Sequence, residues 1–290
     1  MDRRTFLASA GAAGACMTLP AASARSSMPA PALLDLAWLE ARHGGRLGVF
    51  AMGPGRVGWR VDERFAYAST FKLFLAACVL DRVQQGAERL DRAIPIREGD
   101  RVPHAPVTGP AVGSSLTVEA LCKATVEISD NPAANILLRE LGGLETFQAW
   151  YRGIGDAVTR VDRYETQLNS ALPGDPRDTT TPAQAVANLD RVLLRGLLAP
   201  ELLAKLHTWL METPTGPGRI KAGVPEGWRV AHKTGTGARN SCNNIGVAYP
   251  PSGAPVVIAV YYTDAEASPE ALDTVVAEAT RAALVALQRA

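Results

Sequence analysis

The chain has almost no net charge, few residues that bind metals, and no long apolar segment after its N-terminus. Its 30 Lys and Arg residues against 29 Asp and Glu leave a formal charge of +1, which excludes a strong field that attracts nucleic acid or an anionic membrane. The four histidines, at positions 43, 104, 207 and 232, lack metal-ligand spacing, and the four cysteines form no Cys-x-x-Cys pair. We therefore expect no metal, no cofactor and no nucleic-acid partner, and we expect a small-molecule ligand.

The first 24 residues predict an export signal. Arg3 and Arg4 precede a stretch rich in Leu, Ala and Gly, and Ala22-Ser23-Ala24 offers a cleavage site after Ala24. That stretch is too short for a membrane helix, and no later segment has about 18 uninterrupted apolar residues. We expect a monomer exported by the twin-arginine route to the periplasm or medium, without stable membrane insertion. Lipidation at Cys16 is the less favoured alternative, because no large aliphatic residue stands three positions earlier.

Cysteine usage argues against a disulfide framework. Cleavage after residue 24 leaves Cys78, Cys122 and Cys242, an odd number that cannot all pair within one chain. We expect all three to be buried free thiols that pack as small apolar groups.

The composition, with 47% hydrophobic and 20% charged residues, is that of a globular protein with an ample core. Apolar and β-branched runs predict five strands, over 46–51, 57–61, 229–236, 244–249 and 256–262. Helical spacing predicts terminal helices over 33–41 and 269–289 and six central helices, over 69–85, 116–122, 131–141, 146–151, 182–194 and 200–211.

These elements predict an α/β fold of the α+β type. We expect residues 31–62 and 213–290 to form one domain, an antiparallel five-stranded sheet flanked by the terminal helices. Residues 63–212 are expected to form an all-helical domain inserted in the middle of the chain, with the active site between the two.

The segment Ser69-Thr70-Phe71-Lys72 is the first candidate for chemistry. Positions i and i+3 share a helix face, so Lys72 is expected to reach the Ser69 hydroxyl. A serine needs an adjacent base to become a nucleophile, and a lysine kept neutral by an apolar setting can serve. Taken alone, the pattern is equally that of a serine capping a helix beside a solvated lysine.

Three further segments add polar residues at turns or strand ends. Ser129-Asp130-Asn131 precedes a proline, which alone would indicate helix capping. Lys233-Thr234-Gly235 ends a strand, where a ligand can bind as an added strand or the residues can simply form a polar edge. Residues 162–169 contain Glu165 and Asn169, which alone would be read as solvated loop residues.

Together and in this order, the four segments resemble the class A serine β-lactamases of the penicillin-binding protein superfamily. The resemblance runs from about residue 33 to the C-terminus. It implies hydrolysis of the β-lactam amide through an acyl-enzyme on Ser69, and hence β-lactam resistance. Penicillin-binding DD-peptidases and non-hydrolytic β-lactam sensors share the three shorter motifs, so they are the alternatives. Glu165 and Asn169, which would hold the deacylating water with Glu165 as its base, favour the hydrolase.

The resemblance also implies a role for each remaining motif residue. Ser129 would relay a proton to the lactam nitrogen, and Asn131 would bind the substrate's side-chain amide. Lys233 and Thr234 would bind the substrate carboxylate, while Gly235 would let the ligand approach the backbone.

Other implied roles concern the loops and backbone around the substrate. The N–H groups of Ser69 and Thr236 would form the oxyanion hole, and Asp130 would fix its loop. An ion pair between Arg163 and Asp178 would close an Ω-loop at its neck. Whether Lys72 or Glu165 activates Ser69 is left open.

The chain departs from the commonest family pattern around the substrate carboxylate. Many members carry an arginine where this chain has Cys242, and a subset supplies that cation from the position of Arg219, so Arg219 is a candidate carboxylate ligand. His104 stands where members place an aromatic gate residue, although a solvated loop histidine is the alternative. Thr236 offers a hydroxyl compatible with penicillin and cephalosporin hydrolysis.

Two cysteine patterns of the family are incomplete here. Many members bridge the nucleophile helix to the helix before Ser-Asp-Asn. Cys122 matches one of those positions, but Cys78 is displaced by about 200° around its helix. Some carbapenem-hydrolysing members bridge the positions of Ala68 and Gly237, and the absence of that cysteine pair disfavours this subgroup.

Overall fold

The computed structural model describes residues 31–289. The predicted export signal and Cys16 lie outside this part of the chain. The strands are β1 Ala32–Leu33, β2 Arg46–Met52, β3 Arg56–Trp59, β4 Phe65–Ala66, β5 Ala93–Pro95, β6 Ser115–Thr117, β7 Thr179–Thr180, β8 Arg229–Gly237, β9 Ser241–Tyr249 and β10 Val256–Thr263. The α-helices are α1 Ala37–His43, α2 Phe71–Gln84, α3 Val118–Glu127, α4 Asn131–Leu141, α5 Leu144–Gly153, α6 Pro182–Leu193, α7 Pro200–Glu212, α8 Ile220–Gly223 and α9 Pro269–Leu287. Short 3-10 turns span Ala68–Thr70, Glu98–Asp100 and Gln167–Ser170.

The main sheet of the described chain has the strand order β1-β3-β2-β10-β9-β8. The five predicted strands are present and antiparallel, but the sheet has six strands and not the predicted five. Ala32–Leu33 adds a sixth strand that pairs parallel with Val57–Gly58 of β3. Because these two residues pair in the sheet, the first helix begins at Ala37 rather than at residue 33.

Two hydrophobic cores lie on opposite faces of this mixed α/β sheet. One is formed with α1 and α9, which contribute the fully buried Leu39 and Val276 among others. The other is formed with the central helices, of which α6 packs directly on β2 and β10. Residues from 31 onward form one compact unit. The division into 31–62 with 213–290 and 63–212 therefore stays a prediction.

Helix α2 occupies the centre of the helical core. Every residue from Phe71 to Asp81 is buried, so the helix is enclosed on all sides rather than amphipathic. A 3-10 turn over Ala68–Thr70 leads into it and carries Ser69. Strand β8, which lies at one edge of the sheet, packs against the other side of this turn. No helix within residues 31–289 is long and apolar enough to cross a bilayer.

Candidate active site

Ser69 and Lys72 meet the Glu165 carboxylate from the same side. The Ser69 Oγ lies 3.4 Å from Glu165 Oε1, and the Lys72 Nζ lies 2.9 Å from the same oxygen. Lys72 also donates to the Ser129 carbonyl at 2.8 Å and to Asn131 Oδ1 at 2.5 Å. These three acceptors are the shortest contacts of an ammonium group that has three N–H donors.

The expected hydrogen bond between Lys72 and the Ser69 hydroxyl is not among those formed within residues 31–289. Ser69 lies in the 3-10 turn before α2, and residues i and i+3 share a face in such a turn as they do in an α-helix. Both side chains therefore reach the same Glu165 oxygen. Ser69 and Lys72 are joined through this carboxylate and not by a direct hydrogen bond.

Burial and charge act on Lys72 in opposite directions. The Lys72 and Glu165 side chains are both 0% exposed. Burial disfavours the charged ammonium and lowers the pKa of Lys72, while the Glu165 carboxylate works against that shift. The proton affinity of Lys72 is thus tied to its contact with Glu165.

The Ser129 hydroxyl lies between two buried ammonium groups. Its Oγ is 3.3 Å from Lys72 Nζ and 3.1 Å from Lys233 Nζ. Burial lowers the pKa of Lys233 well below its usual value, and the Lys72 and Arg219 cations lower it further. An oxygen held by two such donors is well positioned to exchange a proton with either amine.

Glu165 is held by side chains on two sides. Asn169 Nδ2 donates to Glu165 Oε2 at 2.6 Å. Asn135 Oδ1 accepts from the Glu165 N–H, and Asn135 Nδ2 donates to the Glu165 carbonyl, both at 2.8 Å. The peptide bond between Glu165 and Thr166 is cis. The Asn169 Oδ1 atom is buried and has no hydrogen-bond partner among the described residues.

Asn135 is a site residue that belongs to none of the four motifs. Its only sequence signal is position, because it stands four residues after Asn131 and therefore on the same face of α4. This face points toward Lys72 and Glu165, and a polar residue there could have been expected to join the site.

The predicted ion pair at the Ω-loop neck is present. Arg163 Nε lies 2.5 Å from Asp178 Oδ2, and the Asp178 side chain is fully buried. Its other oxygen accepts from the N–H groups of Asp162 and Arg163 at 2.8 and 3.1 Å. The Tyr67 hydroxyl also donates to it, at 3.2 Å, which ties the loop neck to the segment that carries Ser69.

Asp130 fixes the loop that faces Ser69 from across the cleft. Its carboxylate caps α4 by accepting from Ala133 N and binds Thr108 through both the N–H and the hydroxyl. The Asn131 N–H donates to the His104 carbonyl at 3.0 Å. His104 is exposed, with its Nε2 2.8 Å from the Ile128 carbonyl oxygen.

A separate group of polar residues forms the other end of the cleft. Thr234 is buried on β8, and the exposed Thr236 follows it on the same face. Arg219 Nη2 donates to Thr236 Oγ1 at 3.0 Å. Its Nη1 donates to the Gly235 and Asn243 carbonyls at 3.2 and 2.9 Å.

The arginine is oriented by a carboxylate on α9. Arg219 Nε lies 2.6 Å from Asp273 Oδ1, which also accepts from the Cys242 thiol at 3.4 Å. A guanidinium has five N–H donors, and four of those on Arg219 have partners among the described residues. One Nη2 hydrogen therefore stays available to a ligand.

Gly235 packs against the segment that carries Ser69. A Cβ at this position would lie 2.7 Å from the Tyr67 carbonyl and 3.1 Å from the Thr70 N–H. The missing side chain therefore makes room for the protein's own Ser69-bearing segment. Gly235 is buried and does not line the cleft.

The two groups share one cleft of about 330 Å³. It is lined by Ser69, His104, Ile128, Ser129, Asn131, Asn169, Thr215, Gly216, Arg219, Thr234 and Thr236. Seven other predicted site residues thus line the cleft together with Ser69, while Lys72, Glu165 and Lys233 lie beneath the surface. Within residues 31–289 no cluster of His, Cys, Asp and Glu could hold a metal ion.

The sequence and the fold are both similar to those of a known protein family. Residues 33–287 match the model of the β-lactamase enzyme family. The β-lactamase AST-1 of Nocardia asteroides is 42% identical over 99% of this chain and 96% of its own. The β-lactamase L2 of Stenotrophomonas maltophilia is also 42% identical, over 98% of both chains. The solved structure of an ancestral class A β-lactamase is 49% identical, with a TM-score of 0.84 over 87% of this chain and 98% of its own.

The chain belongs to the class A β-lactamases. It is an enzyme of this class, and the resemblance inferred from the four motifs is confirmed. The mixed α/β fold of the class is likewise the one observed.

The cysteines of this β-lactamase form no bridge in the described chain. Cys78, Cys122 and Cys242 are all buried free thiols, as expected. Burial raises the pKa of Cys78 and of Cys242 to about 12. A Cβ at Gly237 would lie 3.5 Å from the Ala68 Cβ, so these two residues are close enough in space for the bridge found in some carbapenem-hydrolysing members.

Proposed function

We propose that the protein hydrolyses the lactam amide of penicillins and cephalosporins through an acyl-enzyme on Ser69, and thereby confers β-lactam resistance. One observation carries this proposal. The buried Glu165 carboxylate contacts Ser69 Oγ, Lys72 Nζ and Asn169 Nδ2, so one base adjoins the nucleophile, a lysine amine and a side-chain amide.

In the acylation step, Ser69 Oγ forms a bond to the lactam carbonyl carbon. The 3.4 Å contact favours Glu165 as the group that takes the Ser69 proton. The N–H groups of Ser69 and Thr236 bind the carbonyl oxygen as negative charge develops there. When the ring C–N bond breaks, the Ser129 hydroxyl gives its proton to the nitrogen and is reprotonated by the Lys72 ammonium. Glu165 then passes the proton it took from Ser69 to the neutral Lys72 amine 2.9 Å away, so that the carboxylate is free to act as a base again.

In the deacylation step, Glu165 and Asn169 hold a water molecule. The buried, unpaired Asn169 Oδ1 supports this assignment, because it can accept a hydrogen bond from water beside the carboxylate. Glu165 takes a proton as the water oxygen bonds to the acyl carbon. The ester bond then breaks, and Ser69 recovers its proton from Glu165.

The substrate would lie along the β8 edge with its carboxylate at the Arg219 end. Lys233, Thr234 and Arg219 supply positive charge and hydroxyl donors there. Asn131 would bind the side-chain amide, and His104 would stand at the mouth of the cleft. The carbapenem-hydrolysing β-lactamase KPC of Klebsiella oxytoca is 42% identical over 86% of both chains, so carbapenems belong among the substrates to be tested. Measuring kcat/KM for a penicillin, a cephalosporin and a carbapenem would define the substrate range of the enzyme.

We also propose export of a monomer through the twin-arginine signal, with cleavage after Ala24. Replacing Arg3 and Arg4 by lysine should retain the precursor in the cytoplasm, and intact-mass measurement of the exported protein gives the cleavage position. Exported protein from the double-lysine variant would contradict this route.

The decisive experiment compares the wild-type protein with Ser69→Ala on a chromogenic cephalosporin. We expect steady hydrolysis by the wild type and a loss of about 10⁴- to 10⁶-fold in the variant. Retained activity in Ser69→Ala would remove Ser69 from its role. A wild-type protein that acylates once and then stalls would identify a DD-peptidase or a sensor instead.

A further inference from the structure

Three threonine hydroxyls form a chain that ends at the recognition side of the cleft. Thr213 Oγ1 lies 2.6 Å from the Glu127 carbonyl oxygen and 2.9 Å from Thr215 Oγ1. Thr215 Oγ1 in turn lies 2.9 Å from Thr234 Oγ1. Thr215 and Thr234 line the cleft, whereas Thr213 is buried.

The direction of the hydrogen bonds is fixed at one end and open at the other. A carbonyl oxygen only accepts, so the Thr213 hydroxyl donates to Glu127. Thr213 Oγ1 already accepts from the Thr215 N–H at 3.3 Å. The Thr215 hydroxyl is therefore free to donate either to Thr213 or to Thr234, with equal distances of 2.9 Å.

These two arrangements differ in what they offer a ligand. When Thr215 donates to Thr213, its oxygen attracts the Thr234 proton away from the cleft. When Thr215 donates to Thr234, the Thr234 proton points into the cleft. An anionic ligand selects the second arrangement, and a chain of aligned hydroxyls strengthens the final donor.

We propose that Thr215 is a positioning residue that turns the Thr234 hydroxyl proton toward the substrate carboxylate. The inference rests on the proposed function and deepens it, because it assigns part of the selectivity for anionic β-lactams to a residue outside the four motifs. Thr215 acts through Thr234 and not by contact with the reacting atoms.

The backbone next to Thr215 packs closely against β8 and so holds the three threonine hydroxyls together. Gly216 has a φ of +59°, and a Cβ there would lie 2.5 Å from Thr234 Cγ2. The segment therefore packs against Thr234 at a distance that only glycine permits. Three residues later the same segment supplies Arg219, so both donors to the carboxylate are supported by one short stretch of chain.

The test compares Thr215→Val and Thr215→Ser on benzylpenicillin and on its uncharged methyl ester. For Thr215→Val we expect KM for the acid to rise about fivefold, with kcat within twofold of the wild type and no change for the ester. Thr215→Ser keeps the hydroxyl and should restore the wild-type KM. Thr274→Val, on the exposed face of α9, is the matched control and should leave KM and kcat unchanged for both substrates.

Binding to the Ser69→Ala protein, with and without Thr215→Val, separates this inference from the proposed hydrolysis. The acid should again bind about fivefold more weakly when Thr215 is valine, whether or not the wild type turns over. An unchanged affinity for the acid would overturn the inference. An equal loss for acid and ester would also overturn it, because it would indicate a merely structural role.

Discussion

The two ends of the cleft use their charged groups differently. At the reaction end, the Lys72 and Glu165 side chains are 0% exposed and bound to each other and to neighbouring protein groups. At the recognition end, Arg219 is 9% exposed and keeps one N–H uncommitted, and Thr236 is exposed. The reaction end therefore holds its proton-transfer groups in fixed positions, whereas the recognition end reserves donor capacity for a ligand.

This difference predicts that substitutions at the reaction end change turnover, while those at the recognition end change substrate affinity. The largest difference between the effect on turnover and the effect on affinity is expected for Glu165→Ala. Loss of the water's base should slow deacylation by about 10²- to 10⁴-fold, so that the acyl-enzyme accumulates. Mass spectrometry should find protein heavier by one bound penicillin, and Glu226→Ala, an exposed glutamate, is the control.

Acylation should persist in Glu165→Ala because of Lys72. Burial lowers the pKa of Lys72, and Glu165 opposes that shift, so its removal lets the pKa fall further. The neutral amine is the base, hence the acylation rate should rise as pH increases through this lowered pKa. Prompt turnover by Glu165→Ala would exclude the role assigned to Glu165. An acylation rate independent of pH would exclude Lys72 as the substitute base.

The second prediction concerns the support of the reaction end. Arg163→Ala leaves the fully buried Asp178 without its cation, which should cost about 3 kcal/mol of unfolding free energy. A melting temperature lower by about 6 to 12 °C is expected. Arg89→Ala removes an exposed pair with Asp91 that solvent already screens, so it should leave the melting temperature nearly unchanged. An equal fall in melting temperature in the two variants would show that the ion pair at the loop neck does not stabilise the protein more than an exposed pair does.

The elements that the sequence predicted well are long and periodic. Helices α4 and α6 and strands β8 and β10 agree with their predicted spans to within a residue or two. The ladders β4–β7 and β5–β6 were missed, because two- or three-residue strands carry no periodicity. The additional strand β1 was missed for the same reason, and its apolar residues were assigned to a helix.

Site residues were predictable where a motif carries them, and not where contacts join distant parts of the chain. Asp273 is 54 residues from Arg219, and Asn135 is 30 residues from Glu165, so neither pairing leaves a local pattern. The motif that contains Gly235 does not reveal which group this glycine lies close to. Its close neighbour is Tyr67, and only the packed fold brings that carbonyl to β8.

The third prediction addresses the recognition end directly. Arg219→Ala should raise KM for substrates with a free carboxylate by about 10- to 100-fold, because a charge-assisted hydrogen bond is lost. Arg219→Lys keeps the charge but not the planar fork, so it should recover only part of the affinity. The value of kcat should change less than KM. A matching loss for a methyl ester substrate would indicate that Arg219 supports the cleft and does not bind the carboxylate.

The smallest effect is expected for Cys242→Ala. The thiol is a weak donor 3.4 Å from Asp273 Oδ1, whereas the Arg219 contact with the same oxygen is 2.6 Å and charge-assisted. Because burial raises the pKa of Cys242 to about 12, the group stays neutral and adds no charge to the site near pH 7. We expect KM for an anionic penicillin to change less than twofold. A tenfold rise would mean that the thiol, through Asp273, orients Arg219, and the recognition end would then depend on a second fixed group as the reaction end does.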